Sequence, residues 1–161
     1  MYEFTINGRK VSTSEEINLL EYLREYENLT SVKDGCSEGA CGACMILVDG
    51  KASRACLFTT GKVSGKDIIT VEGLEQSEKD IFTYAFSKAG AVQCGFCIPG
   101  MVISAKGLFN NNLNPTEAEI KAAIKGNVCR CTGYIKIVEA IKLAAEAFRN
   151  KTFSNLEAFY G

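Results

Sequence analysis

Histidine and tryptophan are absent from this sequence of 161 residues, and proline occurs only twice. Without histidine, the chain cannot form Cys2His2 zinc fingers, Rieske centres, His-ligated haem sites or the Ser-His-Asp and Cys-His sites of hydrolases. An excess of charge is also lacking, because 18 basic and 19 acidic residues leave a formal net charge of −1. Nucleic-acid-binding domains need a strongly basic surface, so no nucleic-acid partner is expected.

Long hydrophobic runs are missing too. Apolar runs such as Met45–Val48 are far too short to span a bilayer. Residues 1–4 alternate as in a strand, without the basic segment and apolar region of a signal peptide. We therefore expect a cytoplasmic protein with no membrane span. In that reducing compartment disulfides are rare, and clustered thiols more often bind metal or carry out redox chemistry.

What the sequence does contain is cysteine, in two groups of four. The first group is Cys36, Cys41, Cys44 and Cys56, and the second is Cys94, Cys97, Cys129 and Cys131. A short polar segment separates the two groups, and we place a domain boundary there, between domains 1–75 and 76–161. Each half is near the size at which a hydrophobic core alone is marginally stable and a metal site helps. One metal site per half is the expectation.

The first half predicts a small sheet crossed by a helix. Asn7-Gly8 and Asp49-Gly50 are typical of type I′ turns, which predicts two hairpins. The expected strands are residues 2–6, 10–13, 45–48, 51–57 and 68–71. Ser14 can cap a helix that runs from residue 15 to about residue 26. This pattern is typical of β-grasp domains, although other α+β folds share it.

The second half predicts four helices, and short connections between helices favour a compact all-α bundle. The expected helices are residues 77–88, 98–110, 116–125 and 135–149. Ser77 with Asp80 and Thr116 with Glu119 are typical of capping boxes at helix starts. The fold class is therefore α+β, with a mixed first domain and an all-α second domain.

The first cysteine group has the C-x4-C-x2-C spacing of plant-type [2Fe-2S] ferredoxins within residues 36–44. Gly35, Gly39 and Gly42 permit positive φ and close approach, so that backbone amides can point at thiolate sulfur atoms. Cys56 would supply the fourth thiolate. Zinc is the alternative metal because four thiolates suit it too, although structural zinc sites usually use paired C-x2-C motifs.

The second cysteine group lies at two predicted helix starts. Cys94 and Cys97 precede the second helix of this half, and Cys129 and Cys131 precede the fourth. Both helix N-termini would direct amides and positive dipole ends at one anionic cluster. A C-x2-C pair is also typical of thioredoxin-like redox sites, but those sites need a βαβ context that is missing here.

Three segments carry a resemblance to a known family. Residues 34–44 (DGCSEGACGAC), 93–100 (QCGFCIPG) and 126–134 (GNVCRCTGY) resemble, in order, the signatures of the iron–sulfur subunit of molybdenum hydroxylases. That family includes xanthine dehydrogenase, aldehyde oxidoreductase and carbon monoxide dehydrogenase. The resemblance covers nearly the whole chain and accounts for all eight cysteines. It implies a β-grasp, plant-type ferredoxin-like domain followed by a four-helix domain, each with one [2Fe-2S] cluster.

The resemblance also implies a path for electrons. They would pass from a molybdopterin cofactor on a large subunit through the second cluster and then the first, to FAD on a medium subunit. Gln93 and the backbone at Cys131 match positions that touch the pterin in the family. No substrate site is expected on this chain. A stand-alone two-cluster electron carrier is the alternative, and the aromatic tail 150–161 either docks on a larger subunit or packs loosely.

Overall fold

The computed structural model describes residues 1–150 and places a five-stranded sheet in the first half of the chain. The strands are β1 (Tyr2–Ile6), β2 (Arg9–Thr13), β3 (Met45–Val48), β4 (Lys51–Arg54) and β5 (Asp67–Ile69). Their order across the sheet is β2-β1-β5-β3-β4, with β5 parallel to β1 and antiparallel to β3. Of the aromatic tail 150–161, residues 151–161 lie outside the described residues.

Both predicted hairpins are confirmed. Asn7 and Gly8 have φ values of 50° and 81°, and Asp49 and Gly50 have the same pair of values. Positive φ at both central residues is what a type I′ turn requires, and it matches the twist of the flanking strands. Two strands end earlier than expected, because the backbone turns into short 3₁₀ helices at Ala55–Leu57 and Val71–Gly73.

The first helix was predicted wrongly at its start. Helix α1 covers only Leu19–Glu21 and continues as a π-helical segment, Tyr22–Tyr26. Asn18, rather than Ser14, is the N-cap residue. The reason is Thr60, whose side chain accepts a hydrogen bond from the amide of Ile17 and whose own backbone amide donates to the carbonyl of that residue. These bonds hold the residues before Asn18 outside the helix.

Asn18 offers a direct test of this corrected helix start. Its Oδ1 accepts from the Leu20 amide at 3.0 Å, and its Nδ2 donates to the Cys56 carbonyl at 2.9 Å. We expect Asn18→Ala to lower the free energy of unfolding by about 1–2 kcal/mol, because a helix cap is lost. Ser14→Ala is the control and should stay within about 0.5 kcal/mol. Equal losses in thermal unfolding of the two variants would contradict the assignment.

Four helices form the second half, as expected. They are α2 (Gln76–Lys88), α3 (Ile98–Phe109), α4 (Glu117–Ala123) and α5 (Ile135–Asn150). The capping box of Thr116 and Glu119 is confirmed, with hydrogen bonds of 3.2 and 2.8 Å. The box expected at Ser77 is wrong, because α2 begins one residue earlier and Asp80 accepts a hydrogen bond from the Gln76 side chain. Within residues 1–150, no helix is long and apolar enough to cross a membrane.

An ion-pair cluster joins α4 to α5. The Glu117 carboxylate pairs with Lys121 at 2.8 Å and also with Lys142. Hydrogen bonds from these two lysines lower the pKa of Glu117 to about 2. The charged form is therefore favoured in the folded chain, and the stability it contributes is present above the ordinary pKa of 4.5 and lost as the pH falls through about 2.

Removing one lysine tests this electrostatic account. Lys142→Ala should raise the pKa of Glu117 toward its ordinary value, as followed by NMR titration of the carboxyl carbon. Lys136→Ala removes the same charge elsewhere on α5 and should leave that pKa unchanged. A titration of Glu117 that is insensitive to Lys142→Ala would show that the ion pair does not form in solution.

The two halves pack directly against each other. One buried cluster lies between the sheet and α1 and includes Leu19, Leu23, Ile46 and Ile68; another lies among the helices and includes Met101, Ile120, Ile137 and Ile141. A small third cluster of Met45, Leu47 and Ile103 joins β3 to α3. This shared packing brings the second cysteine group close to the first.

Candidate iron–sulfur sites

The loop before β3 holds the first three cysteines and directs amides at sulfur. Cys36 Sγ accepts hydrogen bonds from the amides of Glu38, Ala40 and Cys41 at 3.4, 3.3 and 3.4 Å. These amides lower the pKa of the Cys36 thiol to about 7. A further amide, from Ala43, reaches Cys41 Sγ at 3.4 Å. The loop is thus built to stabilise negative charge on sulfur.

Glycine serves two different purposes in this loop. Gly39 and Gly42 have φ values of 77° and 73°, as expected from the sequence. Gly35 does not take positive φ; a Cβ atom there would lie 2.8 Å from Cys41 Sγ, so glycine is needed for space. Ser37 takes the other left-handed position, with φ of 54°, and its hydroxyl donates to the Asp34 carboxylate.

Cys44 and Cys56 lie deeper than the other two thiols of their group. Cys44 ends the loop and Cys56 lies in the 3₁₀ turn after β4, and both side chains are buried. Burial, together with the neighbouring Cys56 thiol, raises the pKa of the Cys44 thiol to about 12. Cys36 and Cys41 likewise contact each other. The first group therefore consists of two thiol pairs.

The second group has the same organisation. Cys131 Sγ lies 3.6 Å from Cys94 Sγ, and both residues are exposed. Cys97 and Cys129 form the inner pair, and burial followed by contact with Cys129 raises the pKa of the Cys97 thiol to about 12. The Thr132 hydroxyl donates to Cys129 Sγ at 3.1 Å.

Two thiol pairs per group suit a site with two metal atoms. A [2Fe-2S] cluster takes four cysteine thiolates shared between two irons, whereas zinc takes its four ligands at a single tetrahedral centre. The donor sets, with their amide hydrogen bonds, fit an anionic [2Fe-2S] cluster better than zinc.

Tyr134 supports the second group in a way that the sequence did not predict. Its hydroxyl accepts a hydrogen bond from the Cys129 amide at 2.9 Å, and its φ of 73° is left-handed. Left-handed backbone is costly for a residue with a large side chain. The only sequence signal was its place in the third signature segment, directly after Gly133.

The two cysteine groups meet at a backbone junction. The Val128 amide donates to the Cys41 carbonyl at 2.8 Å, and Asn127 Nδ2 donates to the Gly42 carbonyl at 3.2 Å. Arg54 Nη2 donates to the Gly126 carbonyl at 3.3 Å. Arg54 therefore contacts this junction. None of these contacts was predicted, because they join residues far apart in the chain.

The surface around the outer thiol pair of the second group is open and partly apolar. Gln93 is exposed directly beside Cys94, and Cys131 is exposed opposite it. Phe96, two residues after Cys94, and Ile135, four residues after Cys131, are also exposed, at 46% and 74% of their full accessibility, and we call these two side chains the apolar rim. An exposed metal site with an apolar rim is typical of a surface that a partner protein covers.

Comparisons with known proteins define the class. Residues 4–68 match the 2Fe-2S iron-sulfur cluster binding domain, and residues 70–142 match the [2Fe-2S] binding domain. The chain thus has an α+β organisation with two successive iron–sulfur domains and carries two [2Fe-2S] clusters.

Full-length relatives narrow the class to a family. The chain is 45% identical to the nicotinate dehydrogenase small FeS subunit of Eubacterium barkeri, covering 93% of this chain and 100% of the relative. It is 43% identical to the nicotine 6-hydroxylase small subunit of Paenarthrobacter nicotinovorans, covering 91% of this chain and 90% of the relative. Quinoline 2-oxidoreductase from Pseudomonas putida 86 has a solved chain that is 40% identical, with a TM-score of 0.80 over 92% of this chain and 95% of that one. The chain belongs to the iron–sulfur subunits of the molybdenum hydroxylase family.

Proposed function

We propose that this chain transfers electrons within a molybdenum hydroxylase complex, from the molybdopterin cofactor of a large subunit to FAD on a medium subunit. The observation that carries the proposal is the arrangement of all eight cysteines as two groups of two thiol pairs, linked by a direct backbone junction. The clusters supply one-electron redox chemistry when bound; this chain supplies their ligands, their spacing and the surfaces that face the partners. We also propose that the protein is cytoplasmic, because free thiols such as its eight cysteines stay reduced in that compartment.

The cluster ligands follow from the thiol pairs. Within the first group, Cys36 with Cys41 would hold one iron and Cys44 with Cys56 the other. Within the second group, Cys94 with Cys131 and Cys97 with Cys129 would divide in the same way. In each group one pair is exposed or half-buried and the other more deeply placed, so each cluster would have a solvent side and a protein side.

We propose that residues 1–75 form a β-grasp, plant-type ferredoxin-like domain and that residues 76–161 form a four-helix domain with its tail. Supporting the first is the mixed sheet, in which β1 pairs with β5 in parallel and two hairpins flank them, with α1 packed on one face. Supporting the second are helices α2 to α5 packed around a shared core.

The second cluster would be the one that faces the molybdopterin subunit. Cys94 and Cys131 form its exposed pair, and Gln93 stands exposed beside them. We propose that Gln93 and the Cys131 backbone contact the pterin, with Phe96 and Ile135 packing against the large subunit. The first cluster would then be the one that passes electrons toward FAD.

Co-purification tests the proposed complex. A tag at Met1, whose side chain is exposed, should recover the chain with a large subunit that contains molybdenum and a medium subunit that contains FAD. Recovery of the chain alone under gentle conditions, with both clusters present, would favour the stand-alone carrier instead.

A matched pair of surface variants tests the proposed interface. Ile135→Asp places a charge at the apolar rim and should abolish recovery of the large subunit while leaving both clusters in place. The acidic side chain at the start of α5 suits the helix dipole, so folding should be preserved. Leu113→Asp changes another exposed apolar residue, 43% accessible and outside that rim, and should leave the complex intact.

A further inference from the structure

Asn127 is a buried polar residue with both ends of its side chain engaged. It is 3% exposed and lies two residues before Cys129. Its Oδ1 accepts from the Ser104 hydroxyl at 2.7 Å, and its Nδ2 donates to the Gly42 carbonyl at 3.2 Å. Because an unpaired buried amide is costly, these two bonds fix the orientation of the side chain.

The bonds of Asn127 connect the two cysteine groups at their nearest backbone. Gly42 lies between Cys41 and Cys44, and the neighbouring Val128 amide donates to the Cys41 carbonyl at 2.8 Å. From Cys41 Sγ to Cys129 Sγ the route therefore runs through covalent bonds and a single hydrogen bond. Asn127 is the side chain that secures this contact.

The junction is close because it is built from glycine. A Cβ atom on Gly42 would lie 2.3 Å from the Gly126 carbonyl oxygen, and one on Gly100 would lie 2.4 Å from the Gly42 carbonyl oxygen. The backbone at Gly42 therefore lies directly against the backbone at Gly100 and Gly126, with no side chain between them. At this contact the spacing is held by the backbone hydrogen bond of Val128 and by the side-chain hydrogen bonds of Asn127 and Arg54, while Met45, Leu47 and Ile103 pack the two halves together.

We infer that Asn127 is a positioning residue for electron exchange between the two clusters, an inference that rests on the proposed function. Its side chain bonds to Ser104 and to the Gly42 carbonyl and not to a cysteine sulfur, so it acts through Gly42 and Val128 by holding the two cysteine-bearing segments at one distance. Electron tunnelling slows steeply as two redox centres move apart or lose a bonded route between them. Without the amide, the segments separate and the Val128 to Cys41 hydrogen bond weakens.

The experiment compares Asn127→Ala with the unchanged full chain, both carrying their clusters. Iron and sulfide content should be the same in both. In the variant, the Val128 amide should exchange with deuterium faster, and the magnetic splitting between the two reduced clusters in EPR should diminish. Electron exchange between the clusters after a one-electron pulse should slow in the same variant.

Asn110→Ala is the matched control. Asn110 Nδ2 also donates across the two halves, to the Gly50 carbonyl at 3.0 Å, but it is exposed and contacts neither cysteine group. If Asn127 merely ties the halves together, both variants should act alike on EPR splitting and exchange rate. The inference requires that only Asn127→Ala changes them.

Ser104→Ala is the milder second variant, because it removes only the partner of Asn127 Oδ1. It should change the EPR splitting and the electron-exchange rate in the same direction as Asn127→Ala, but by less. If Asn127→Ala does not fold, Ser104→Ala provides the test. An unchanged splitting and exchange rate in cluster-loaded Asn127→Ala, or in Ser104→Ala where it is needed, would overturn the inference and leave the proposed function intact. Absence of iron and sulfide from the unchanged chain would instead overturn the proposed function.

Discussion

Cys129→Ser should remove the second cluster and spare the first, so that iron falls from about four to about two atoms per chain. Serine offers a hydroxyl that is far harder to ionise than a thiol and a poorer ligand for iron. Cys129 is only 9% exposed, within the helical core, and it pairs with Cys97. The substitution therefore removes one of the four thiolate ligands on the buried side of the proposed site.

Cys56→Ser is the mirror-image control, because it removes a buried thiol from the first group. The two variants should each retain one EPR signal on reduction, and the retained signals should differ. The Cys129→Ser chain should also melt at a lower temperature, since metal binding contributes directly to the stability of small domains. Loss of both clusters in each variant, or of neither, would contradict the division into two independent sites.

Gly42→Ala should lower the free energy of unfolding by about 3 kcal/mol, because a left-handed alanine costs roughly 1–2 kcal/mol and forced contacts add a similar amount. The new methyl group would lie 2.3 Å from the Gly126 carbonyl oxygen and 2.9 Å from Asn127 Cα, both of them backbone atoms. Neither can move away like the end of a flexible side chain. The cost therefore falls on the junction between the cysteine groups.

Gly65→Ala separates the cost of the left-handed backbone from the cost of the forced contacts. Gly65 has a similar φ of 77°, but nothing lies within 4 Å of an added Cβ. It should lose only about 1 kcal/mol, the cost of the left-handed backbone. At about 2–4 °C per kcal/mol for a chain of this size, Gly42→Ala should melt several degrees below Gly65→Ala. Equal melting temperatures would mean that the two halves are not in contact at Gly42.

Local sequence signals predicted the elements that depend on local physics. Asn7-Gly8 and Asp49-Gly50 form the expected turns, and Thr116 with Glu119 forms the expected capping box, because each involves only a few adjacent residues. The helix starts at Ser14 and Ser77 were wrong. Thr60 holds the residues before α1 outside the helix, and the Gln76 side chain donates a hydrogen bond to the Asp80 carboxylate.

The candidate sites show the same division. Cysteine spacing was enough to group the eight thiols four and four, since spacing within a loop is a local property. Their arrangement into pairs such as Cys94 with Cys131 depends on how distant segments pack, which spacing does not encode. The sequence did not predict a role for Asn127 or Gly100, because both matter through contacts with Gly42 in the other half.

One measurement tests the central claim most directly: iron, acid-labile sulfide and EPR analysis of the full chain after anaerobic reconstitution and reduction. We expect a red-brown protein with about four irons and four sulfides per chain and two distinguishable EPR signals. A colourless chain that takes up zinc, and forms no iron–sulfur cluster under these conditions, would contradict it.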